Sequence, residues 1–387
     1  MEIRSKLPDV GTTIFAVISR RARELGALNI GQGFPDYDID PRLGELLAMA
    51  VAAGHNQYAP MEGVPELRAV ISAKLNASYG VQVDPERETT ITLGATESIF
   101  SAILAFAATG DEVIIFDPAY DSYEPAVRLA GGRCLRVPLL PPDFRYDWER
   151  VRDYISDRTR LIIINSPHNP SCTLASAADL AALAELTRDR DIRVLSDEVY
   201  EHVVFDGRAH ASVLTHPELR ARSLAIFSFG KTLHATGWRV GYCVAPPELT
   251  RELRKIHQFN TFTIATPLQH AIAAYLREKP QVWRALSGFF QAKRDRLRTA
   301  LAGSGFELPP AAGTFFQLLD FGRLSRATDL EFAERLLTEA SVATIPLSPF
   351  YEAPPVHTLL RLCIAKRDAT LDEAAGRLRA FAERHLH

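Results

Sequence analysis

Between residues 89 and 245 the chain alternates short, continuous apolar runs with longer stretches of helical period. The runs 89–93, 112–116, 160–165, 192–196 and 224–228 show little polar–apolar alternation and carry many Ile, Val and Leu residues. Such runs predict strands covered on both faces. The stretches 96–108, 122–130 and 175–189 read as helices between them. Helical crossovers imply a mostly parallel sheet with right-handed connections. The run 240–245 follows the previous strand after only about a dozen residues, which is marginal for a parallel crossover, so it is predicted to run antiparallel.

Downstream the order changes. Residues 266–279 and 283–304 predict helices, 314–319 a strand, 329–339 a helix, 361–364 a strand, and a final helix follows. That order suits a smaller α+β unit. The amphipathic stretch 12–25 and the loop Gly31-Gln32-Gly33-Phe34-Pro35 precede the large sheet. They are expected to pack with this second unit or with a partner subunit. The resulting partition of this α/β protein is an N-terminal arm at 1–40, a large domain at 41–275 and a small domain at 276–387.

Composition narrows the function. The 387 residues are 47% hydrophobic with a formal net charge of −3, enough for a large core and too balanced for a nucleic-acid partner. Cys134, Cys172, Cys243 and Cys363 show no CxxC spacing, so neither a metal site nor a disulfide framework is expected. No apolar stretch reaches membrane-spanning length. Residues 1–23 mix charged and apolar positions, unlike a secretory leader. A cytoplasmic enzyme without membrane partners is the expectation.

In open α/β sheets ligands bind beyond the carboxyl ends of the strands, so the residues after each run carry the chemistry. After 89–93 comes Gly94-Ala95-Thr96-Glu97-Ser98 at a helix start, suited to a phosphate or to plain capping. After 112–116 comes Tyr120, which can stack on a flat ring or simply pack. After 160–165 comes Ser166-Pro167-His168-Asn169-Pro170; Asn169 can donate to a ring oxygen or a carboxylate, and His168 reads as structural or solvent-facing. Asp197 ends the next run, with Tyr200 close behind. A carboxylate there is costly unless paired, and a protonated pyridine nitrogen is a suitable partner; a helix cap is the ordinary alternative. After 224–228 come Lys231 and, eight residues on, Arg239. The amine can hold the aldehyde carbon of pyridoxal phosphate while the guanidinium forks onto its phosphate. Lys231 can also move a proton at the substrate α-carbon, and its pKa is expected to be lowered. Each feature alone has a bland explanation, but five at successive strand ends share none easily.

With these motifs the chain resembles the fold-type I pyridoxal-phosphate enzymes of the class I/II aminotransferase family, from Asn29-Ile30-Gly31-Gln32-Gly33 to Arg361-Leu362-Cys363-Ile364. It is most similar to the kynurenine and methionine aminotransferase branch, on Gln57-Tyr58-Ala59-Pro60, Asn165-Ser166-Pro167-His168-Asn169-Pro170, Ser196-Asp197-Glu198-Val199-Tyr200 and Gly230-Lys231-Thr232-Leu233-His234-Ala235-Thr236-Gly237-Trp238-Arg239. The resemblance implies a Schiff-base lysine at Lys231 and an acid on the pyridinium nitrogen at Asp197. It implies partners of the ring hydroxyl at Tyr200 and Asn169, and a stacking ring at Tyr120. Ala95, Thr96, Ser228 and Arg239 match the phosphate cup. Tyr58 matches a tyrosine that reaches the neighbouring subunit's phosphate, which implies a homodimer. Arg361 matches the clamp on the substrate α-carboxylate, and Gly33 lies in the pocket loop. Phe15, Phe262, Phe350 and Tyr351 fall at or near an aromatic side-chain pocket suited to methionine, phenylalanine or kynurenine. His234 and Cys172 depart from the broad family pattern, the latter where a glycine often stands.

Three functions share these features. An aminotransferase passes the amino group of an L-amino acid to a 2-oxo acid. A β-eliminating C–S lyase acting on cysteine S-conjugates uses the same lysine. A non-enzymatic cofactor-sensing regulator would need a DNA-binding segment, and the residues before the large sheet lack a basic helix-turn-helix pattern. A nucleotide-dependent dehydrogenase is excluded because no GxGxxG or P-loop pattern occurs.

Overall fold

A computed structural model describes residues 4–385. The first three residues of the expected arm and the last two of the expected small domain lie outside the described residues. Among the described residues the strands are β1 (Leu28–Asn29), β2 (Thr89–Thr92), β3 (Glu112–Asp117), β4 (Arg133–Pro138), β5 (Thr159–Asn165), β6 (Arg193–Asp197), β7 (Ser223–Ser228), β8 (Gly241–Val244), β9 (Phe316–Asp320), β10 (Val342–Ala343), β11 (Ile345–Pro346) and β12 (Leu359–Cys363).

The main sheet has the order β2–β8–β7–β6–β5–β3–β4. Strands β3 to β7 pair in parallel, whereas β8 runs antiparallel to both β2 and β7. The short connection before residue 240 therefore has the predicted consequence. Both faces of the sheet are covered. Ile114, Ile162, Val194 and Ala225 enter one hydrophobic layer, and Val113, Leu161, Leu195 and Leu224 enter the other. Each buried Ile, Leu or Val contributes about 1.5–3 kcal/mol relative to exposure. The period-two geometry of a strand thus sends successive apolar residues of these runs into opposite cores, and no polar alternation is needed.

Edge strand β4 has no counterpart among the predicted elements. Its sequence, Arg-Cys-Leu-Arg-Val-Pro, is partly solvent-exposed and carries no continuous apolar run. A proline at its end is tolerated because an edge strand leaves one row of donors unpaired. The helices Pro41–Ala52, Pro65–Tyr79 and Pro247–Asn260 were likewise not anticipated; each begins with proline at a helix start, where its missing N–H costs nothing.

The remaining strands form two small sheets, β11–β12–β9 antiparallel and β1–β10 parallel. The helix Ile14–Glu24, which covers most of the amphipathic stretch 12–25, packs against β10 and β11. The N-terminal segment is thereby tied to the C-terminal part of the chain. No helix of the described residues is long and apolar enough to cross a membrane.

One seam is tight enough to test. A Cβ placed on Gly241 would lie 2.7 Å from Ala95 N, 2.7 Å from the Gly94 carbonyl carbon and 2.8 Å from Phe227 O. All three are backbone atoms that cannot swing aside. Gly241→Ala is expected to destabilise the protein by about 1–3 kcal/mol through overpacking, read as a lower urea midpoint at unchanged slope. An unchanged midpoint would contradict this packing.

Candidate active site

The carboxyl ends of β5, β6 and β7 lie side by side, with Asn165 opposite Asp197 and Asp197 opposite Ile226. They open into a cleft lined by residues from several strand ends, the place where open α/β sheets bind ligands. Nine residues singled out from the sequence line it: Ala95, Thr96, Tyr120, Asn169, Asp197, Tyr200, Ser228, Lys231 and Arg239. Residues scattered over 145 positions of chain therefore meet in one place.

One end of the cleft is built for an anion. The chain leaves β2 through Gly94, whose φ of +70° is left-handed, and enters the helix Gly94–Phe106. A Cβ on Gly94 would sit 2.8 Å from Arg239 Nη2, so a glycine lets the guanidinium lie close to the helix start. Arg239 Nη2 donates to Thr96 Oγ1 at 3.4 Å, and Nη1 donates to Thr236 O at 3.1 Å. Helix-start N–H groups, a hydroxyl and a guanidinium are donors that recognise a phosphate or carboxylate.

The other end carries opposed ionisable groups. Asp197 is buried; its Oδ2 accepts from the Tyr123 hydroxyl at 2.7 Å and its Oδ1 from Val199 N at 3.3 Å. Burial pushes its carboxyl up to about 6, against the opposing pull of Tyr123, Val199 N and Lys231. Burial also brings the Lys231 amine down to about 8, with Arg239 and Arg361 adding to the effect while Cys363 and Asp197 oppose it. Lys231 Nζ lies 3.5 Å from Gly33 O and 5.3 Å from the centre of the Tyr200 ring. Burial pushes the Tyr200 phenol well up as well. Asn169 N donates to Asn165 Oδ1 at 2.8 Å, and Asn165 Nδ2 donates to Asp197 O at 2.9 Å. A chain of amide bonds thus fixes the ends of β5 and β6 to each other.

Arg361 stands on β12 and is 1% exposed. Its Nη1 donates to Asn169 Oδ1 at 2.7 Å and its Nη2 to Gly31 O at 3.2 Å, while Nε is buried without a partner. Its guanidinium carbon lies 3.9 Å from the Phe316 ring centre, 5.0 Å from Phe15 and 5.5 Å from Phe350. Phe15 and Phe350 meet edge-on at 5.6 Å. Desolvation brings the arginine down to about 10. A buried cation with a free donor is costly until an anion completes it. A Cβ on Gly33 would lie 2.5 Å from Phe316 Cζ, so the loop approaches this stack only as glycine.

Other candidates lie elsewhere. Phe262, at φ +67° and 42% exposed, packs edge-on against Tyr58, which is 84% exposed. Tyr351 is buried and donates to Leu139 O at 3.0 Å. His168 is buried with Nδ1 2.7 Å from Ser171 Oγ, and burial brings it down to about 4; it is structural. His234 stacks among Tyr37, Phe289 and Phe290 with Nε2 buried and unpartnered. Cys172 is buried at φ +66°, and its N donates to His168 O. That conformation explains why a glycine suits this position.

Among the contributors that escaped the sequence are Tyr123, Asn165 and Phe316. Tyr123 stands three residues past Tyr120, and Asn165 is the last residue of β5, so weighing the final residue of each run and the first helical turn beyond it finds both. Phe316 has no local signal. It reaches Arg361 because β9 and β12 pair with Arg361 opposite Leu318, which leaves Phe316 on the same face as the diagonal neighbour.

Comparison with known proteins gives one answer. The family model "Aminotransferase class I and II" matches residues 26–378. A methionine aminotransferase of Escherichia coli is 51% identical over 97% of this chain and 97% of its own length. A crystal structure of an E. coli protein with methionine aminotransferase function superposes with a TM-score of 0.96 at 50% identity, covering 98% of this chain and 100% of that one. The structure of an N-succinyldiaminopimelate aminotransferase from Mycobacterium tuberculosis gives a TM-score of 0.94 at 39% identity, over 98% of this chain and 100% of the other. Human kynurenine–oxoglutarate transaminase 1 is 30% identical over 93% of both chains. Matched along almost its whole length in sequence and in fold, the chain belongs to the class I and II aminotransferase family and is an aminotransferase.

Proposed function

We propose that the enzyme uses pyridoxal 5′-phosphate to move the α-amino group of an L-amino acid, with methionine and aromatic amino acids preferred, to a 2-oxo acid. The observation that carries this reading is that Asp197 and Lys231 line one cleft whose far end gathers Thr96, Ser228 and Arg239. The donor set fits the cofactor. Ala95, Thr96, Ser228 and Arg239 would hold the phosphate, Tyr120 would stack on the ring, and Tyr200 and Asn169 would reach the ring hydroxyl. Asp197, a buried carboxyl with a raised pKa, would gain a directly bonded cationic partner at the ring nitrogen. When bound, the cofactor supplies an aldehyde for the amine and an electron-withdrawing ring.

The chain's own groups do the rest. Lys231, brought down to about 8, has a neutral amine available near physiological pH and can take and return a proton at the substrate α-carbon. Arg361 presents donors to the α-carboxylate, with Nε free to join. Phe15, Phe316 and Phe350 surround that guanidinium and exclude water from it. These apolar walls support a thioether or aromatic substrate side chain, in keeping with the E. coli relative named for methionine.

A homodimer belongs to this reading. Tyr58 and Phe262, which pack edge-on, and Phe259, 86% exposed, are large rings left in water by the single chain, and exposed apolar surface of this kind marks a contact surface. A second copy would cover them and bring its Tyr58 to this cleft. Four free thiols, three of them buried, suit a reducing compartment such as the cytoplasm.

Lys231→Ala is expected to lower kcat by about 1000-fold or more, and borohydride treatment of the wild-type enzyme with cofactor should label Lys231 in peptide mass mapping. Full turnover by the variant would sink the proposal. Only the neutral amine attacks a carbonyl. Capture of an added aldehyde at Lys231 in cofactor-free protein should therefore rise with pH through a midpoint near 8, whereas a midpoint near the ordinary lysine value of about 10.4 would refute the burial argument. In single half-reactions followed by absorbance, methionine and phenylalanine should discharge the cofactor band faster than aspartate; the reverse order would overturn the pocket assignment.

A further inference from the structure

The turn that follows β6 has two faces with different chemistry. Its backbone folds through two successive turns, Glu201 N donating to Glu198 O at 2.9 Å and Val203 N to Tyr200 O at 2.8 Å. Asp197, Val199 and Tyr200 line the active-site cleft. Glu198 and Glu201 do not; both are buried, and Glu201 lines a separate cleft with Tyr79, His210 and Trp283.

Each of these two glutamates is fully engaged. Glu198 Oε1 accepts from Ser196 Oγ at 2.9 Å and from Val213 N at 3.0 Å, and its Oε2 lies 2.8 Å from His210 Nε2. Glu201 Oε1 accepts from Lys74 Nζ and Oε2 from the Tyr79 hydroxyl. Lys74 Nζ also donates to the Tyr242 hydroxyl at 3.0 Å. Lys74 and Tyr79 belong to the helix Pro65–Tyr79, and Tyr242 to β8, where it stacks on Phe227 of β7 at 4.9 Å. The turn carrying Asp197 and Tyr200 is thus tied from behind to a helix and to the two strands that flank Lys231 and Arg239.

We propose that Glu201, with Lys74 and Tyr79, and Glu198, with His210, are positioning residues: they hold the turn in register so that Asp197 and Tyr200 keep their places in the cleft. Stability alone does not account for them. A buried ion pair is commonly replaceable by apolar packing at no loss, and this layer already borders Phe227, Phe229 and Trp283. Directional bonds supply what apolar packing does not, a fixed orientation for residues that alternate between the two faces. Misplacement of a reacting group by about 1 Å costs about 100-fold in rate.

The inference rests on the cofactor reading above, and its test separates the two. Glu201→Gln keeps the size of the side chain and the bond from Tyr79 but removes the charge opposite Lys74. With pyridoxal phosphate bound, this variant is expected to lose about 10- to 100-fold in kcat, with KM for methionine within about threefold. The pH midpoint of its visible absorbance band should move from the wild-type value, while circular dichroism remains native. Lys74→Met should act in the same direction on kcat and Lys74→Arg should recover part of it. Tyr79→Phe, which removes one hydroxyl, gives a milder form of the effect and serves where Lys74→Met does not fold. Folded variants with wild-type kcat and an unmoved band midpoint overturn the positioning role and leave the cofactor reading intact. A wild-type protein that develops no visible band with pyridoxal phosphate overturns both.

Discussion

Desolvation of charge at the carboxyl edge of the seven-stranded sheet governs this molecule. Asp197, Lys231 and Arg361 are all titrated by burial more than by any single neighbour. Each retains part of its hydrogen-bonding capacity. A folded chain keeps such groups only where the rest of the core is stable enough to carry the cost. The two hydrophobic layers over the sheet supply that stability, and the parallel topology delivers the ends of β5, β6 and β7 to the same edge. Catalytic potential here follows from a stable scaffold holding unsatisfied groups in fixed places.

How much of this could be read from the chain depended on whether the deciding contact was local. The buried strands were legible because most are nearly continuous apolar runs, and β2 is built of β-branched residues. The antiparallel course of β8 was legible because the preceding connection is too short for a crossover. Lys231, Asp197 and Asn169 were legible because each directly follows or ends such a run. Edge strand β4 was not, since most of it is only partly buried and its pattern is interrupted by Arg133 and Arg136. Phe316 was not, since its contact with Arg361 is created by pairing between strands some forty residues apart and leaves no trace in either segment alone.

The small antiparallel sheet shows the same limit more sharply. Arg361 was recognised only through resemblance, because a lone arginine within a strand has no meaning without its surroundings. The structure supplies them: a guanidinium pressed against Phe316, bonded to Asn169 on one side and to Gly31 on the other. Tyr58 and Phe262 show the complementary case. Their side chains meet each other in the open, so their meaning depends on a surface that a single chain does not contain.

Arg361 also joins three parts of the molecule that fold from distant stretches of chain. Its backbone belongs to the small antiparallel sheet, Asn169 to the loop after β5 of the main sheet, and Gly31 to the N-terminal segment. The 2.7 Å bond to Asn169 spans from the small sheet to the loop after β5. The arginine is therefore a pin between the small sheet, the main sheet and the N-terminal segment. Its unpartnered Nε belongs to the same side chain that joins those three segments, so whatever satisfies that donor also acts on the pin.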